Sequence, residues 1–440
     1  MKKQLFNKIL LVSFLASCIS SCTVGPIKTE SSVELIKKSY KIHNTNINNA
    51  DSFRALNNVI YPSNEKEHNQ LDINYVDAIK SFSRNIYLKN YATENFSFSP
   101  FGLYSNLDLM SLSTDNQEVL LALDNVLGVN TQTRRTNYPL TYKNNFYLNG
   151  EYGTMHLYNG VFLNSSYEAN ETYINSLSSY FTEAFSVNFA NDSAVSKMLQ
   201  WIDQKINEKN FLRKEDFEIN TYSMMYIVNT LYFRNRWLSM YNEKESKQDV
   251  FYLDSGTKNA TYMNHTVYSD LYDYDKYVSC YDAYQNGYKI QYIVPKDTKD
   301  DICELIKDVD FLHEDESHLS TYKLIDLYVP KFTSEIKINF SNTLKQIGLN
   351  SLFEGKVFNY VFDNLPENME INLSFVKQKN KIEFNEDGTE IKSVTFSGMK
   401  ATSAAPIDLE TYVVKLNQPF VYVIYDESDI PIYIGKLNNI

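Results

Sequence analysis

The sequence predicts one large α+β domain with several β-sheets, and three observations support this class. Apolar residues recur at helical spacing early in the chain, whereas strand-like apolar runs dominate its later part. Tyr (35) and Phe (26) are abundant, as in strand-rich proteins. No internal repeat or low-complexity linker divides residues 72–440. One mixed domain therefore explains the pattern better than several separate domains.

Three segments have the periodicity of amphipathic helices. The first begins after Asp72, which can cap a helix, and carries a periodic set of apolar residues: Ile73, Val76, Ile79, Phe82 and Ile86. The second covers residues 103–127 and stops at Gly128, and the third covers residues 193–208.

The second half of the chain is predicted to be rich in strands. Residues 222–233 form a nearly continuous apolar run, as expected for a strand buried on both faces. Residues 288–294 and 324–332 are shorter strand candidates. Residues 420–437 are predicted to form a hairpin with its turn at residues 426–429.

The amino terminus has the features of a signal peptide followed by a tether. Three lysines precede an apolar run at residues 9–15, which is too short for a membrane-spanning helix of about 20 residues. Residues 23–70 are rich in Asn, Ser, Lys and Glu, which predicts a flexible tether.

The end of the signal resembles a bacterial lipobox. Residues 15–18 (LASC) match an aliphatic residue, two small residues and a lipidated cysteine, which favours Cys18. Residues 19–22 (ISSC) match nearly as well, so Cys22 is the alternative, and simple secretion is a third possibility. Lipidation would hold the protein outside the cytoplasm, at the cell membrane or cell surface, without spanning the bilayer.

Charge and cysteine content exclude several classes of function. The net charge of −12 argues against a nucleic-acid partner, and removing residues 1–22, with three lysines and no acid, makes the chain more acidic. The four cysteines form no CxxC pair, so zinc and thioredoxin-type sites have no support. Cys280 and Cys303 could pair in an oxidising compartment, and the sequence leaves this open.

No catalytic motif is present. The chain lacks a GxSxG elbow, a phosphate-binding GxxxxGK[ST] loop and an HExxH zinc helix. His313 and His318 lie in an acidic stretch with the wrong spacing for a shared helical face, which favours a solvated loop. We therefore expect no enzyme activity, no cofactor and no metal.

An ordered set of motifs resembles the serpin family over about residues 70–440. The motifs are residues 95–100 (NFSFSP), 159–163 (NGVFL), 189–194 (FANDSA), 202–207 (IDQKIN), 228–233 (VNTLYF) followed by Trp237, 329–332 (VPKF), 344–348 (LKQIG), 386–390 (EDGTE) and 419–420 (PF). The specificity lies in their order along the chain.

The resemblance implies a fold and a mechanism. The fold has three β-sheets, eight or nine helices and an exposed reactive loop at about residues 386–418, with Glu386, Gly388, Thr389 and Glu390 as its hinge. A serine protease, or as a second class a cysteine protease, attacks the loop and forms an acyl-enzyme. The cut loop then inserts into the central sheet, an event for which serpins are a standard example. The inhibitor is expected to act as a monomer.

The loop sequence has the alternation that an inserting strand needs. One alternating set carries no charge: Thr389, Ile391, Ser393, Thr395 and Ser397. Both charges fall in the other set, and no proline interrupts residues 386–405. Inhibitory serpins usually carry small residues after the hinge, where this chain has Ile391. The alternative is therefore a non-inhibitory serpin-fold protein that binds a partner at the cell surface.

The spacing of the family from Gly388 places the scissile bond at Thr402–Ser403. Thr402 suits an elastase-like or subtilisin-like protease with a small pocket. A shifted register would expose Met399 to a chymotrypsin-like enzyme or Lys400 to a trypsin-like one.

The resemblance also implies a region that controls opening of the central sheet. Ser99 and Asn229 occupy positions where the family keeps these residues, and Trp237 matches the tryptophan near the top of the sheet. Gly102 and Gln378 stand where serine and histidine are usual. A rewired hydrogen-bond network is therefore expected around these side chains.

Overall fold

The computed structural model describes residues 52–62, 67–90, 94–145, 147–150, 153–220, 222–253, 255–321, 324–390 and 411–440. They belong to one compact unit that covers residues 47–440. The lipobox cysteines Cys18 and Cys22 lie outside the described residues. So do both residues of the expected scissile bond, Thr402 and Ser403, and the alternatives Met399 and Lys400.

Eight α-helices form within the described residues, in agreement with the eight or nine expected. They are α1 (Ile73–Asn90), α2 (Pro100–Met110), α3 (Gln117–Leu127), α4 (Thr131–Asn145), α5 (Glu171–Ser179), α6 (Asp192–Ile206), α7 (Ile302–Ile306) and α8 (Ser341–Gln346). The predicted cap of α1 is confirmed, because Asp72 Oδ1 accepts a hydrogen bond from the Asn74 amide at 2.9 Å. Among these helices, none is long and apolar enough to cross a membrane.

The single helix predicted over residues 103–127 is wrong, because the chain forms α2 and α3 there. Residues 111–113 tighten into a 3₁₀ turn, and Asn116 then starts a new helix. Its Oδ1 accepts from the Glu118 amide at 3.0 Å and the Val119 amide at 3.4 Å. Gly128 ends α3 with a φ of 77°, as predicted.

Twenty strands form in the described part of the chain. They are β1 (Phe53–Ala55), β2 (Phe96–Phe98), β3 (Tyr147–Gly150), β4 (Gly153–Asn164), β5 (Glu168–Ala169), β6 (Thr182–Val187), β7 (Met225–Arg236), β8 (Lys247–Leu253), β9 (Gly256–Tyr268), β10 (Leu271–Asp273), β11 (Tyr277–Ala283), β12 (Lys289–Pro295), β13 (Leu324–Pro330), β14 (Phe332–Asn339), β15 (Phe362–Asp363), β16 (Lys377–Asn385), β17 (Gly388–Glu390), β18 (Thr411–Lys415), β19 (Phe420–Tyr425) and β20 (Pro431–Leu437).

Most of the strands belong to three sheets. The main sheet has the order β1-β6-β4-β7-β17-β16-β14, with β3 added beside β4. The second has the order β10-β11-β12-β19-β20-β2, and the third has the order β18-β13-β9-β8. Strands β5 and β15 form a separate pair. The predicted terminal hairpin is present as β19 and β20.

Apolar side chains cover both faces of the main sheet. Helix α2 contacts β7 of the main sheet and β20 of the second sheet, and we call the α2 side of the main sheet its inner face. On the opposite, outer face, Trp201 of α6 packs in a cluster with Phe162 and Val228. Because inner and outer residues alternate along each strand, β7 has buried side chains on both faces, such as Phe233 on the inner face and Val228 on the outer face.

Residues 52–62 lie in the range predicted to be a flexible tether, yet they pack on the edge of the main sheet. Strand β1 pairs antiparallel with β6, and the Phe53 and Phe185 rings stack at 5.1 Å. The Tyr61 hydroxyl donates to Glu183 at 2.5 Å. These few aromatic contacts hold a segment whose composition is polar.

Cys280 and Cys303 are buried and unpaired in the described structure. Burial raises the pKa of both thiols, which disfavours the reactive thiolate. The cysteine pair that the sequence left open is therefore not formed.

Candidate functional site

The hinge residues form a short strand in the middle of the main sheet. Strand β17 pairs antiparallel with β16 on one side and with β7 on the other. Thr389 is opposite Phe384 of β16 and Asn235 of β7. The hinge thus already occupies a central strand position at one end of the sheet, which we call the hinge end.

Thr389 points into the inner face and is only 1 % exposed. Its hydroxyl lies 2.6 Å from the Tyr284 hydroxyl, and the Tyr284 ring stacks on Trp237 at 4.5 Å. Trp237 Nε1 donates to the Asn385 carbonyl at 2.9 Å. Burial raises the pKa of Tyr284 well above its usual value, so its hydroxyl stays protonated. Trp237 and Tyr284 together hold the hinge strand against the core.

Glu386 anchors the turn that leads into the hinge strand. Its carboxylate lies 2.8 Å from Lys331 Nζ and accepts a hydrogen bond of 2.8 Å from the Ser246 hydroxyl. Partial burial acts to raise the pKa of Glu386, but the hydrogen bonds from Lys331 and Ser246 outweigh it and lower the pKa. The turn is therefore held by a charge-assisted contact to the connection between β13 and β14.

Gly388 is required by a close approach of two backbones. A Cβ atom at this position would lie 2.1 Å from the Asn235 carbonyl oxygen of β7, which no side chain tolerates. Glycine therefore allows the hinge strand to enter beside β7.

Beyond Glu390, no strand of the described residues pairs with the facing edges of β7 and β16. The described ladders pair β7 only with β4 and β17, and β16 only with β14 and β17. Because both strands are antiparallel to β17, they run in the same direction. We call the space between their facing edges the slot. A cavity of about 440 Å³ lies along it and is lined by both strands and by α2.

At the far end of the slot, its two sides are held by different neighbours. On the β16 side, Gln378 Oε1 accepts from the Ser99 amide at 2.8 Å, and Gln378 Nε2 donates to the Ser99 carbonyl at 3.1 Å. On the β7 side, Asn229 Nδ2 donates to Asn159 Oδ1 at 2.7 Å. Asn159 is itself fully buried on β4. These hydrogen bonds therefore hold each side of the slot to a different neighbour.

Gly102 makes room for this arrangement. Its amide donates to the Ser99 hydroxyl at 3.1 Å, which caps α2. A Cβ atom on Gly102 would meet Asn229 Oδ1 at 2.7 Å and the Ser99 hydroxyl at 3.0 Å. Gly102 and Gln378 therefore both hydrogen-bond Ser99 and belong to one network.

Comparison with known proteins decides the family. A family model described as serpin (serine protease inhibitor) matches residues 77–440. The chain belongs to the serpin family. This family consists of protease inhibitors rather than enzymes and targets serine proteases.

Relatives and solved structures agree with this assignment. The chain is similar to the protein Z-dependent protease inhibitor of Mus musculus, at 26 % identity over 78 % of this chain and 77 % of the relative. The crystal structure of the thermophilic serpin tengpin in its native state has a TM-score of 0.71, at 22 % identity, over 87 % of this chain and 98 % of tengpin. Thyroxine-binding globulin in complex with thyroxine has a TM-score of 0.66 at 16 % identity, over 83 % of this chain and 99 % of the globulin. These structures establish the serpin fold.

The site residues expected from the sequence fall into three groups. Glu386, Gly388, Thr389, Glu390 and Trp237 lie together at the hinge end of the slot. Ser99 and Asn229 lie at its far end. The residues of the expected scissile bond and of the lipobox lie outside the described residues.

The sequence analysis missed two contacts that the fold brings to this serpin hinge. Lys331 belongs to the VPKF motif at residues 329–332, so the sequence analysis included this residue. Nothing in the motif indicates that Lys331 pairs with Glu386. Tyr284 lies in no quoted motif, and 105 residues separate it from Thr389. A contact over such a distance in sequence has no periodic signal.

Proposed function

We propose that this serpin inhibits a serine protease by trapping it covalently and inserting the cut reactive loop into the slot. The observation that carries the proposal is the hinge strand β17, which is already paired on both sides at the hinge end. Insertion then extends an existing hydrogen-bonded ladder, so no new strand pairing has to be nucleated. Each residue that enters would form backbone hydrogen bonds with β7 on one side and with β16 on the other.

Continuing the register of β17 gives the inner neighbours of each entering residue. Ile391 enters between Phe233 and Ile382, which are both fully buried in the apolar core. An isoleucine would therefore find an apolar position, which supports insertion although this residue is bulkier than the family norm. Two ladder steps further, Ser393 enters between Leu231 and Asn380.

The same register brings Thr395 between Asn229 and Gln378 at the far end of the slot. Both side chains carry amide groups that can hydrogen-bond a threonine hydroxyl. The network around Gly102 would then exchange its present partners for the entering strand. The alternate residues, including Lys392, face outward, so no charge enters the core.

The length of β7 fits the length of the loop. Strand β7 begins at Met225, which pairs with residue 399 in the continued register. Full insertion from Gly388 to residue 399 covers about 36 Å at ~3.3 Å per residue. A protease esterified to Thr402 would be carried to the opposite end of the sheet.

The chemistry of trapping needs no group from this chain beyond the peptide bond itself. The protease serine oxygen bonds to the Thr402 carbonyl carbon, the Thr402–Ser403 bond breaks, and the Ser403 amine leaves with a proton. The ester persists if insertion outruns attack by water. Thr402 favours an elastase-like or subtilisin-like target, with Met399 and Lys400 as alternatives. Lipidation at Cys18 would place this reaction at the membrane surface.

The test mixes the purified protein with elastase, subtilisin, trypsin and chymotrypsin and separates the products on denaturing gels. A band at the summed mass supports covalent trapping, and sequencing of the released peptide locates the cut. Cleaved protein should also unfold at a markedly higher temperature than intact protein. Clean cleavage without a complex for all four proteases would reject inhibition of these enzyme classes and favour the surface-binding alternative.

A further inference from the structure

A histidine side chain is enclosed where the second and third sheets meet the chain that leaves β7. His265 belongs to β9 of the third sheet and is opposite Leu327 of β13, whereas Asp282 belongs to β11 of the second sheet. Only 8 % of the His265 side chain and 1 % of the Asp282 side chain are exposed. His265 Nε2 lies 3.0 Å from Asp282 Oδ2. The fold therefore encloses a pair of titratable groups between two sheets.

This pair binds the segment that follows β7, residues 237–241, which we call the Trp237 loop. His265 Nδ1 lies 2.9 Å from the Ser239 carbonyl oxygen. The Tyr241 ring stacks on the His265 ring at 3.8 Å, and the Tyr241 hydroxyl donates to Asp282 Oδ2 at 3.0 Å. The pair therefore holds the Trp237 loop at two points.

The Trp237 loop connects the pair to the hinge strand. The Tyr241 ring meets the Trp237 ring edge to face at 5.5 Å. Trp237 stacks on Tyr284, whose hydroxyl lies 2.6 Å from that of Thr389. His265, Tyr241, Trp237 and Tyr284 thus form one row of contacting rings from the third sheet to the hinge, which we call the aromatic row. A displacement of the histidine can reach the hinge through this row.

The hydrogen-bond pattern requires a proton between His265 and Asp282. A carbonyl oxygen can only accept, so His265 Nδ1 must carry the hydrogen that Ser239 receives. An ionised carboxylate likewise only accepts, and Asp282 Oδ2 already receives the Tyr241 hydroxyl. Burial raises the pKa of Tyr241 well above its usual value, so this hydroxyl keeps its own proton. One additional proton must therefore lie between Nε2 and Oδ2, and with it the pair has no net charge.

We propose that this proton is a switch, and that its loss releases the Trp237 loop and loosens the hinge strand seated against the aromatic row. Without the proton, a lone pair on Nε2 faces a buried carboxylate oxygen at 3.0 Å, and the charge-assisted hydrogen bond is lost. Histidine side chains gain and lose a proton between about pH 5 and 8. The Trp237 loop should therefore be held in mildly acidic solution and released in alkaline solution.

The inference assigns His265 and Asp282 as positioning residues, because they touch neither the protease nor the scissile bond. Their effect on trapping rests on the proposed function, since a loosened hinge strand gives insertion a poorer start. The effect on the hinge itself needs no protease and can be measured in the intact protein.

Other titratable groups near the pair do not replace this proton. Asp326 of β13 accepts from Asn264 at 3.0 Å, and Asn264 precedes His265 and so points to the opposite face of β9. The 3₁₀ turn at residues 243–245 also contacts β9, but its three charged side chains are exposed. Tyr292 of β12 interacts with the aspartate, and burial raises the pKa of Tyr292 well above its usual value, so it stays neutral. Within the described residues, the pair therefore depends on its own proton.

The experiment follows the fluorescence of Trp237 in the full-length protein as the pH is raised. The chain has two tryptophans, so a Trp201→Phe background leaves Trp237 as the only indole emitter. Titration of His265 is followed in the same protein by NMR of ¹³C-labelled histidine side chains, and the signal lost in His265→Gln identifies it. Hydrogen exchange of the hinge amides, corrected for the intrinsic effect of pH, reports whether β17 loosens.

We expect the Trp237 emission to shift to longer wavelength between about pH 5 and 8, because release of the loop exposes the ring to water. The midpoint of this shift should equal that of the His265 signal. The hinge amides should exchange at least about ten-fold faster at the alkaline end, the factor that corresponds to one lost hydrogen bond to a charged group. The stabilisation by the proton is present in acid and lost as the pH rises, so the unfolding temperature should exceed that of His265→Gln only at the acid end.

Two variants of the pair separate the proton from the packing. Asp282→Asn allows the amide to donate to a neutral Nε2, so the loop should stay held and the emission should remain that of the acid form at every pH. His265→Gln removes the ring from the aromatic row, so the emission should remain at long wavelength at every pH.

His313→Gln is the matched control. His313 also pairs with an aspartate, because its Nδ1 lies 2.9 Å from Asp310 Oδ2. Its side chain is 38 % exposed, and its Nε2 faces Asp77 of α1, which is not part of the aromatic row. This variant should keep the wild-type response of Trp237 to pH.

Four results would overturn the switch: an emission that does not change with pH, a midpoint that differs from that of His265, a response that persists in His265→Gln, or a response lost in His313→Gln. The two wild-type titrations decide the question even if a variant of the pair folds poorly. Trapping of protease by a protein without the coincident titrations rejects the switch alone. Coincident titrations in a protein that traps no protease reject the proposed inhibition alone.

Discussion

Replacing Thr389 by arginine tests the proposed mechanism most directly. The threonine is 1 % exposed, and its hydroxyl lies 2.6 Å from the Tyr284 hydroxyl. An arginine in this position would bring an unpaired cation among Tyr284, Trp237 and Phe384. The hinge strand should therefore leave the sheet, while the loop sequence around the expected scissile bond remains unchanged.

The magnitude follows from the burial of Thr389 and its hydrogen bond. Burying an uncompensated charge costs at least about 3 kcal/mol, and the lost hydrogen bond adds about 1 kcal/mol. Since about 1.4 kcal/mol corresponds to a factor of ten, entry of the hinge slows by about 10³. Hydrolysis of the acyl-enzyme then outruns insertion, so the inhibitor becomes a substrate.

The assay is the number of inhibitor molecules consumed for each protease molecule inactivated. We expect this ratio to rise by more than ten-fold for Thr389→Arg, with cleaved protein replacing the covalent complex on denaturing gels. Thr389→Val keeps the shape of the residue and should still trap protease, because it loses only one hydrogen bond. If Thr389→Arg retains the wild-type ratio, burial of the hinge is irrelevant to trapping and the reasoning is refuted.

Three further outcomes are expected. Glu386→Gln should lower the unfolding temperature by a few degrees because it weakens the contact to Lys331. Since pairing lowers the pKa of Glu386, this contribution to stability is present above the unfolded pKa of about 4.5 and disappears as the pH falls further. A difference in unfolding temperature between wild type and variant that survives at pH 3 would contradict this. Gly102→Ala should lower the free energy of unfolding by about 1–2 kcal/mol in urea, because the alanine Cβ displaces Asn229. This loss should outweigh the preference of helices for alanine over glycine. A gain in stability would contradict the prediction. Cys18→Ala should move the protein from the membrane fraction to the medium, and retained lipid labelling would instead indicate the second lipobox cysteine.

Prediction from the sequence succeeded where the signal was local. The periodicity after Asp72 predicted α1, and the apolar run at residues 222–233 predicted most of β7. Prediction failed where a local signal contradicted the packing. Helix α4 was missed because its sequence is polar and contains Pro139, although it buries Arg134 in ion pairs with Asp108 at 2.7 Å and Asp124 at 2.8 Å.

The sequence by itself indicated the family and predicted the hinge residues, and it displays the alternation that would keep charge off the inner face of an entering strand. These properties depend on residue types at fixed spacing, which the chain displays directly. Only the tertiary structure decided that the hinge is already paired between β7 and β16 and that Tyr284 and Lys331 hold it. Such contacts join residues tens to hundreds of positions apart, and the free energy that selects them comes from packing and pairing across the whole fold, which no local pattern encodes.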